Sequence, residues 1–340
     1  MSTNSTNSRV FDKEKAKQLL ALKKKAFAKN NYRGLQPFRL NKPSQELVRE
    51  NGRSTDYVLT RSFSYGCPLM CSYCYVARNN TTKNDEQLTV PSNPVNFATD
   101  VDSMILAIKH FVDGLPRHKI SNQCHATYYT LDIGEYSDML APQLIDLTNK
   151  VLAELVPYRN LATSFASKIT TITDVKRLID CPVVGKGRIR ASVAPQWVID
   201  QTELGTAKVK DRLLGLNLAY EKGYEVHLNF SPMIITKSFE EDYIELLKLI
   251  RDTLCKEVLE QIKYEGIFLT HSYVLSVRNK KFFPLNSEDL LWTPHNQQDS
   301  VNLRNNPKIN YNYPVRYSYI TLFRSLISKY LPECKERYLF

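Results

Sequence analysis

The sequence predicts an α/β protein in which a parallel sheet is covered by helices. From residue 55 onward, short β-rich runs alternate with segments of helical period. Between successive runs the chain is long enough for the crossovers that parallel strands require. A hydrophobic share of 43% in 340 residues supplies one large core or two ordinary ones.

The elements follow in order. Residues 1–10 are mostly Ser, Thr and Asn, with little to bury, and are expected to be disordered. A basic helix is expected over 12–30, where Lys13, Lys15, Lys17, Lys23, Lys24, Lys25 and Lys29 fall, and 31–54 reads as an irregular connector with Pro37, Pro43 and Gly52. Strands are expected at 56–64, 125–133, 160–167, 187–194, 225–233 and 265–273. Val101, Ile105, Ile108 and Val112 repeat at helical spacing before Gly114, and residues 136–157 supply the next crossover. Val175, Leu178 and Ile179 follow Thr173 as an N-cap. Val209, Leu213, Leu216 and Tyr220 follow Thr206 and stop at Gly223. Ser238 and Glu241 have the spacing of a capping box ahead of Ile244, Leu247 and Ile250. Three regions result: 1–55 (disordered start, basic helix and connector), 56–275 (the sheet and its helices) and 276–340 (a C-terminal extension). Six strands separated by helices fit an open sheet or a barrel, and in both the chemistry belongs at the carboxyl ends of the strands.

The formal charge of +11 attracts polyanions such as nucleic acid, although a solvated face of the basic helix accounts for much of the excess. No run of 18 apolar residues occurs, and MSTNSTNSRV at the start has no apolar stretch of the kind a signal peptide needs. A cytoplasmic protein with no membrane contact is expected. Seven cysteines in a reducing compartment disfavour disulfides.

Three of the seven crowd into FSYGCPLMCSYCYVAR, as Cys67, Cys71 and Cys74 just after the first expected strand. Structural zinc usually takes two separated C-x2-C pairs, and no second pair occurs here. Cys124, Cys181, Cys255 and Cys334 are isolated and read as small buried hydrophobes. Three thiolates suit a 4Fe-4S cluster with one iron left open to a small molecule, which implies catalysis.

C-x3-C-x2-C with an aromatic before the last cysteine, after the first strand of a six-strand α/β chain, resembles the radical S-adenosylmethionine superfamily. CSYCY (71–75), RIRASVAP (188–195), ELGTAKVKDRL (203–213) and GYEVHLNFSPMI (223–234) resemble the spore photoproduct lyase family, over about residues 56 to 275. The resemblance implies a partial (β/α)6 TIM-type barrel with an N-terminal helical extension and a C-terminal cap. It implies a cluster on Cys67, Cys71 and Cys74, with S-adenosylmethionine chelating the open iron. By position, Glu135, Lys168 and Ser192 fall where relatives contact that cofactor, and Tyr73 and Tyr75 match tyrosines implicated in hydrogen transfer. A low-potential electron donor is implied, and DNA is the expected substrate class.

Other residues fall around this frame. Phe63, Leu69, Met70 and Phe230 are expected as apolar walls of the site or equally as plain core, and His271 in FLTHSY as a site residue. NYNYPVRYSY (310–319) interleaves tyrosines with Arg316 as stacking platforms do, or forms a tyrosine-rich cover on the barrel edge. One position departs from the family: the cysteine that donates a hydrogen atom, three residues before the acidic residue at the second strand's end, is Asp132 here. Cys124 lies eight residues before Asp132, about 26 Å along an extended strand at about 3.3 Å per residue, and does not replace it. Two readings of the departure remain: the hydrogen returns from elsewhere, Tyr73 or Tyr75 being nearest, or the chain carries out a different reaction. A radical enzyme acting on a peptide or metabolite, and a non-enzymatic metal-binding protein, are the alternative functions.

Overall fold

A computed structural model of the chain describes residues 55–56, 63–69, 71–76, 96–97, 101–282, 285–301 and 307–340. The expected disordered start, basic helix and connector lie outside the described residues, as does Met70. Among the described residues no helix is long and apolar enough to cross a membrane.

Six parallel strands form the main sheet: β3 (Tyr129–Asp132), β4 (Leu161–Ser167), β5 (Gly187–Val193), β6 (Glu225–Met233), β7 (Lys263–Phe268) and β11 (Lys335–Leu339). Their order is β11-β7-β6-β5-β4-β3, and the sheet is curled into a half-barrel. Helices α1 (Val101–Asp113), α2 (Ile145–Leu155), α3 (Ile172–Lys176), α4 (Gln196–Thr202), α5 (Val209–Glu221), α6 (Phe239–Thr253) and α7 (Lys256–Gln261) fill the connections. After β7 come β8 (Thr270–His271), α8 (Tyr273–Phe282), α9 (Leu285–Leu291), β9 (Gln297–Val301), β10 (Pro307–Tyr311) and α10 (Tyr313–Tyr330).

The sixth strand of this sheet is a correction to the sequence reading, because β11 comes from the extension and pairs in parallel with β7. The described ends of the first expected strand pair elsewhere. Ser64–Tyr65 (β1) runs antiparallel to Asn96–Phe97 (β2), and Asp56 exchanges hydrogen bonds of 3.0 and 2.9 Å with the Thr130 backbone. The strand expected from 125 begins at Tyr129, since His125 Nδ1 accepts the Thr127 and Tyr128 N–H groups at 3.0 Å and holds a turn there. The strand expected to 273 breaks at Leu269, and β8 beyond it pairs antiparallel with β10.

Helix starts differ in two places. Thr171, not Thr173, caps α3, accepting the Asp174 N–H at 3.2 Å. Ser238 precedes α6 without capping it, its hydroxyl donating instead to Asp242 at 2.8 Å.

Strand alternation sorts the two faces of the sheet. Ile189, Ala191, Val193, Val226, Leu228 and Phe230 are buried in the core. Phe230 belongs here and not to a site wall: its ring packs on Phe323 of α10 at 4.9 Å and on Tyr264 at 6.1 Å. Full burial of such a side chain contributes about 1.5–3 kcal/mol. The other face is charged. Arg190 pairs with Asp132 and, at 3.0 Å, with Glu265, which takes Arg337 of β11 at 2.8 Å on its other oxygen. Such a chain of buried charges is tolerable only because each has a partner.

Candidate functional site

The cysteine loop lies at the carboxyl ends of the strands, held from three sides. It opens at Gly66, whose φ of 92° lies in the region that favours glycine. From the loop after β3, the Ser137 hydroxyl donates to the Gly66 carbonyl at 2.7 Å. From the end of α4, Thr202 accepts the Ser72 N–H at 2.8 Å, and Cys71 bridges to Glu203. From α8, Arg278 Nη1 approaches the Cys71 carbonyl at 3.5 Å.

All seven cysteines are free. Cys71 is buried and Cys67 and Cys74 are half-buried. Burial, then Asp138 and Cys74, pushes the Cys67 thiol up to about 12. Burial, then Glu203, raises Cys71 well above the usual range, with Cys74 and Cys67 adding to it, so the three sulfurs interact with one another. Among the described residues no three His, Cys, Asp or Glu side chains form a group that could hold a metal ion. The isolated cysteines lie elsewhere: Cys124 donates to the Thr55 carbonyl at 3.1 Å. Cys334 is buried, and Cys181 and Cys255 are half-buried.

Two groups of the expected residues flank this loop. In the first, Tyr73, Lys168 and Ser192 converge through two residues that the sequence reading missed, Glu203 and Arg212. Glu203 accepts from the Tyr73 hydroxyl, from Lys168 Nζ at 3.2 Å and from Arg212 Nη2 at 2.7 Å. Arg212 Nη1 donates to the Ser192 carbonyl at 2.8 Å. The Lys168 ammonium also stands 5.4 Å from the Tyr73 ring centre. Burial would raise the Glu203 carboxyl, but Lys168, Arg212 and the Tyr73 hydrogen bond outweigh it and hold the group at about 2. Gly215 makes the arrangement possible, since a Cβ there would meet the Thr170 carbonyl oxygen at 1.3 Å, and its absence lets α5 close on the chain beside Lys168. No periodicity in ELGTAKVKDRL announces Glu203 and Arg212 as partners, nine residues apart.

In the second group the Tyr75 hydroxyl donates to the Glu135 carbonyl, and its ring meets Tyr136 edge-on at 6.3 Å. Burial of the Tyr75 phenol raises its pKa well above the usual value, and Cys74, Glu135 and Asp132 add to that. The Glu135 side chain is exposed. The buried carboxylate nearby is Asp138, also missed, which accepts from the Ser167 hydroxyl and the Lys168 N–H, both at 2.7 Å.

The remaining candidates are placed as follows. Phe63 is buried and Leu69 half-buried against the core. His271 is buried, 3.0 Å from Glu288 and edge-on to Trp292. The run 310–319 is the end of β10 and the start of α10. Tyr311 is buried and its hydroxyl accepts from the Ile235 N–H at 3.0 Å, whereas Tyr313 and Tyr317 are exposed and stacked at 5.9 Å.

Glu203→Gln is expected to destabilise the fold at neutral pH. A carboxyl held at about 2 against an ordinary 4.5 stabilises the folded chain above pH ~4.5, by on the order of 3 kcal/mol, and loses that contribution as pH falls towards 2. Thermal melts of wild type and variant should therefore differ at pH 7, draw together as pH falls from ~4.5, and converge only near pH ~2 and below. A constant difference at every pH would show that the carboxylate charge is not what Glu203 contributes.

The family profile for spore photoproduct lyase matches residues 134–334. The spore photoproduct lyase of Clostridium acetobutylicum is 22% identical over 223 residues, 64% of this chain and 58% of that protein. That of Bacillus subtilis is 23% identical over 217 residues, 63% of this chain and 56% of that protein. The matched region thus spans under two thirds of either relative's length. A solved spore photoproduct lyase, a double mutant with bound AdoMet and dinucleoside spore photoproduct, superposes with a TM-score of 0.72 at 17% identity. It covers 91% of this chain and 81% of its own. Another, with dinucleoside spore photoproduct, gives 0.70 at 17% identity with the same coverage.

Proposed function

The chain belongs to the spore photoproduct lyase family, and from that premise we propose that it is a radical S-adenosylmethionine enzyme acting on a DNA photoproduct. The observation that carries the proposal is the cysteine loop at the carboxyl ends of a curled parallel sheet. Cys67, Cys71 and Cys74 would hold a 4Fe-4S cluster. Three unpaired thiols on one loop suit it, because a cluster takes about one thiolate per iron and does not gather all three on one ion. When bound, the cluster and S-adenosylmethionine supply a 5'-deoxyadenosyl radical that abstracts hydrogen.

This chain's own residues position and shield. Glu135 would take the cofactor's ammonium group, and Lys168 and Ser192 its other polar groups. The Glu203–Arg212 pair holds Lys168, Tyr73 and the Ser192 backbone in one arrangement, so that Lys168 needs little reorganisation on binding. The exposed Tyr313 and Tyr317 rings and the chain's positive charge suit a nucleic-acid strand. The partners implied are DNA and a low-potential electron donor.

Asp132 favours a second reading. Its carboxylate is taken by Arg190 and by the Gly134 N–H at 2.9 Å, and a carboxylate cannot give up a hydrogen atom as a thiol does. A radical enzyme with another substrate would share every feature of the cluster loop.

The test is anaerobic reconstitution with iron and sulfide, followed by S-adenosylmethionine, a reductant and ultraviolet-irradiated DNA. The expected result is 5'-deoxyadenosine together with loss of the spore photoproduct. Cofactor cleavage with the lesion untouched would favour the second reading, and failure to take up iron and sulfide would remove both.

A further inference from the structure

The first turn of α10 stands at the same end of the sheet as the cysteine loop. Just ahead of the helix, the Tyr311 hydroxyl accepts the N–H of Ile235, which follows the carboxyl end of β6. On the helix, Tyr313 and Tyr317 are 63% and 56% exposed, and their rings stack at 5.9 Å with 25° between the planes. Packing does not account for the pair, because a contact at i, i+4 adds only a little to a helix and both residues leave more than half their surface in water. The charge around the rings has one sign. The 18 residues of α10, YPVRYSYITLFRSLISKY, include Arg316, Arg324 and Lys329 and neither Asp nor Glu. At 3.6 residues per turn Tyr313, Tyr317 and Arg324 share one side of the helix; Arg324 is exposed, with Glu336 of β11 bonded at 2.7 Å, and Arg316 is half-buried between the tyrosines. The exposed residues of α10 are Tyr, Pro, Ser, Thr, Arg and Lys, so a lipid surface would find no aliphatic side chain to take up.

We propose that Tyr313 and Tyr317 form a stacking platform for unpaired bases of a DNA strand, with Arg316 and Arg324 placed for its phosphates. This rests on the nucleic-acid reading above and names the form of DNA it takes, a single strand or a locally opened duplex. Every base offers a face to an aromatic ring when it is unpaired and unstacked, whereas in an intact duplex those faces are covered by the neighbouring bases. A platform of two phenols therefore selects by pairing and not by sequence. The acid-free helix adds the attraction for the backbone, which is the part that salt weakens.

The test is fluorescence anisotropy on the full-length protein with a labelled oligothymidylate of about 15 nucleotides, alone and annealed to its complement, over a range of salt. Wild type should favour the single strand. Y313A and Y317A should each weaken that binding about fivefold or more, and the double variant further, while Y313F/Y317F keeps the rings and stays with the wild type. The salt dependence should be unchanged in the alanine variants, because they remove no charge. Wild-type affinity in both alanine variants would overturn the platform and leave the nucleic-acid reading standing. So would equal binding of the duplex by wild type, or a loss in Y313F/Y317F as large as in the alanine variants. A wild type that binds neither oligonucleotide would overturn both readings, and capture by vesicles of anionic lipid in their place would assign the face to a membrane. Should the double variant fail to fold, the two single variants, each changing one exposed ring, decide.

Discussion

Cys71→Ala should yield a colourless protein that neither binds iron and sulfide nor cleaves S-adenosylmethionine. The effect should be complete, because with three thiols proposed for the cluster and the fourth iron reserved for the cofactor, no spare ligand remains on the loop. The isolated Cys124 is tied to the Thr55 carbonyl and does not substitute. Stability should change little by comparison. Cys71 is buried but small, and the anchors of its loop are the Ser72 N–H and the Cys71 backbone, which alanine keeps. A loss of about 1 kcal/mol is ordinary for such a change. Circular dichroism melts and iron and sulfide assays on one preparation separate the two effects. Full cluster content in the variant would sink the ligand assignment.

How far the site could be read from the sequence depended on whether its parts were local. The cysteine spacing is local, and so are the alternation of β6 and the helical period of α1, so these were legible. The joining of β11 to β7 was not, since Lys335 and Lys263 are brought into register only by the whole C-terminal path through α8, α9 and α10. The same holds within the site. Tyr73 and Lys168 were singled out by likeness, but the group that joins them is Glu203, from a different crossover. Its role exists only where α4 ends against the cysteine loop. Phe230 shows the converse: it was expected as a site wall or plain core, and strand alternation turns it towards α6 and α10. Glu135 and Asp138 are three residues apart, and only the fold shows which carboxylate is exposed and which is buried.

Tyr75→Phe is expected to abolish repair of the spore photoproduct by about a hundredfold or more while leaving S-adenosylmethionine cleavage intact. If the chain acts on that lesion, the hydrogen returned to the product cannot come from Asp132, whose carboxylate is occupied by Arg190. The two tyrosines are not equivalent candidates. Tyr73 is committed to Glu203 inside a network of buried charges, and taking its hydrogen would remove one of the donors to that carboxylate. Tyr75 donates to a backbone carbonyl outside that network, and the residue is 44% exposed beside Glu135. Burial of its hydroxyl, with Cys74, Glu135 and Asp132 nearby, raises its pKa, so the phenol stays protonated and able to donate at neutral pH. Tyr73→Phe should then disturb the Glu203 network and cofactor affinity more than the fate of the product. Product analysis on irradiated DNA, with 5'-deoxyadenosine counted in parallel, distinguishes these outcomes. Wild-type repair in Tyr75→Phe would place the donor elsewhere. A wild type that cleaves the cofactor and leaves the lesion alone, with repair appearing in Asp132→Cys, would show instead that this chain has moved to another reaction.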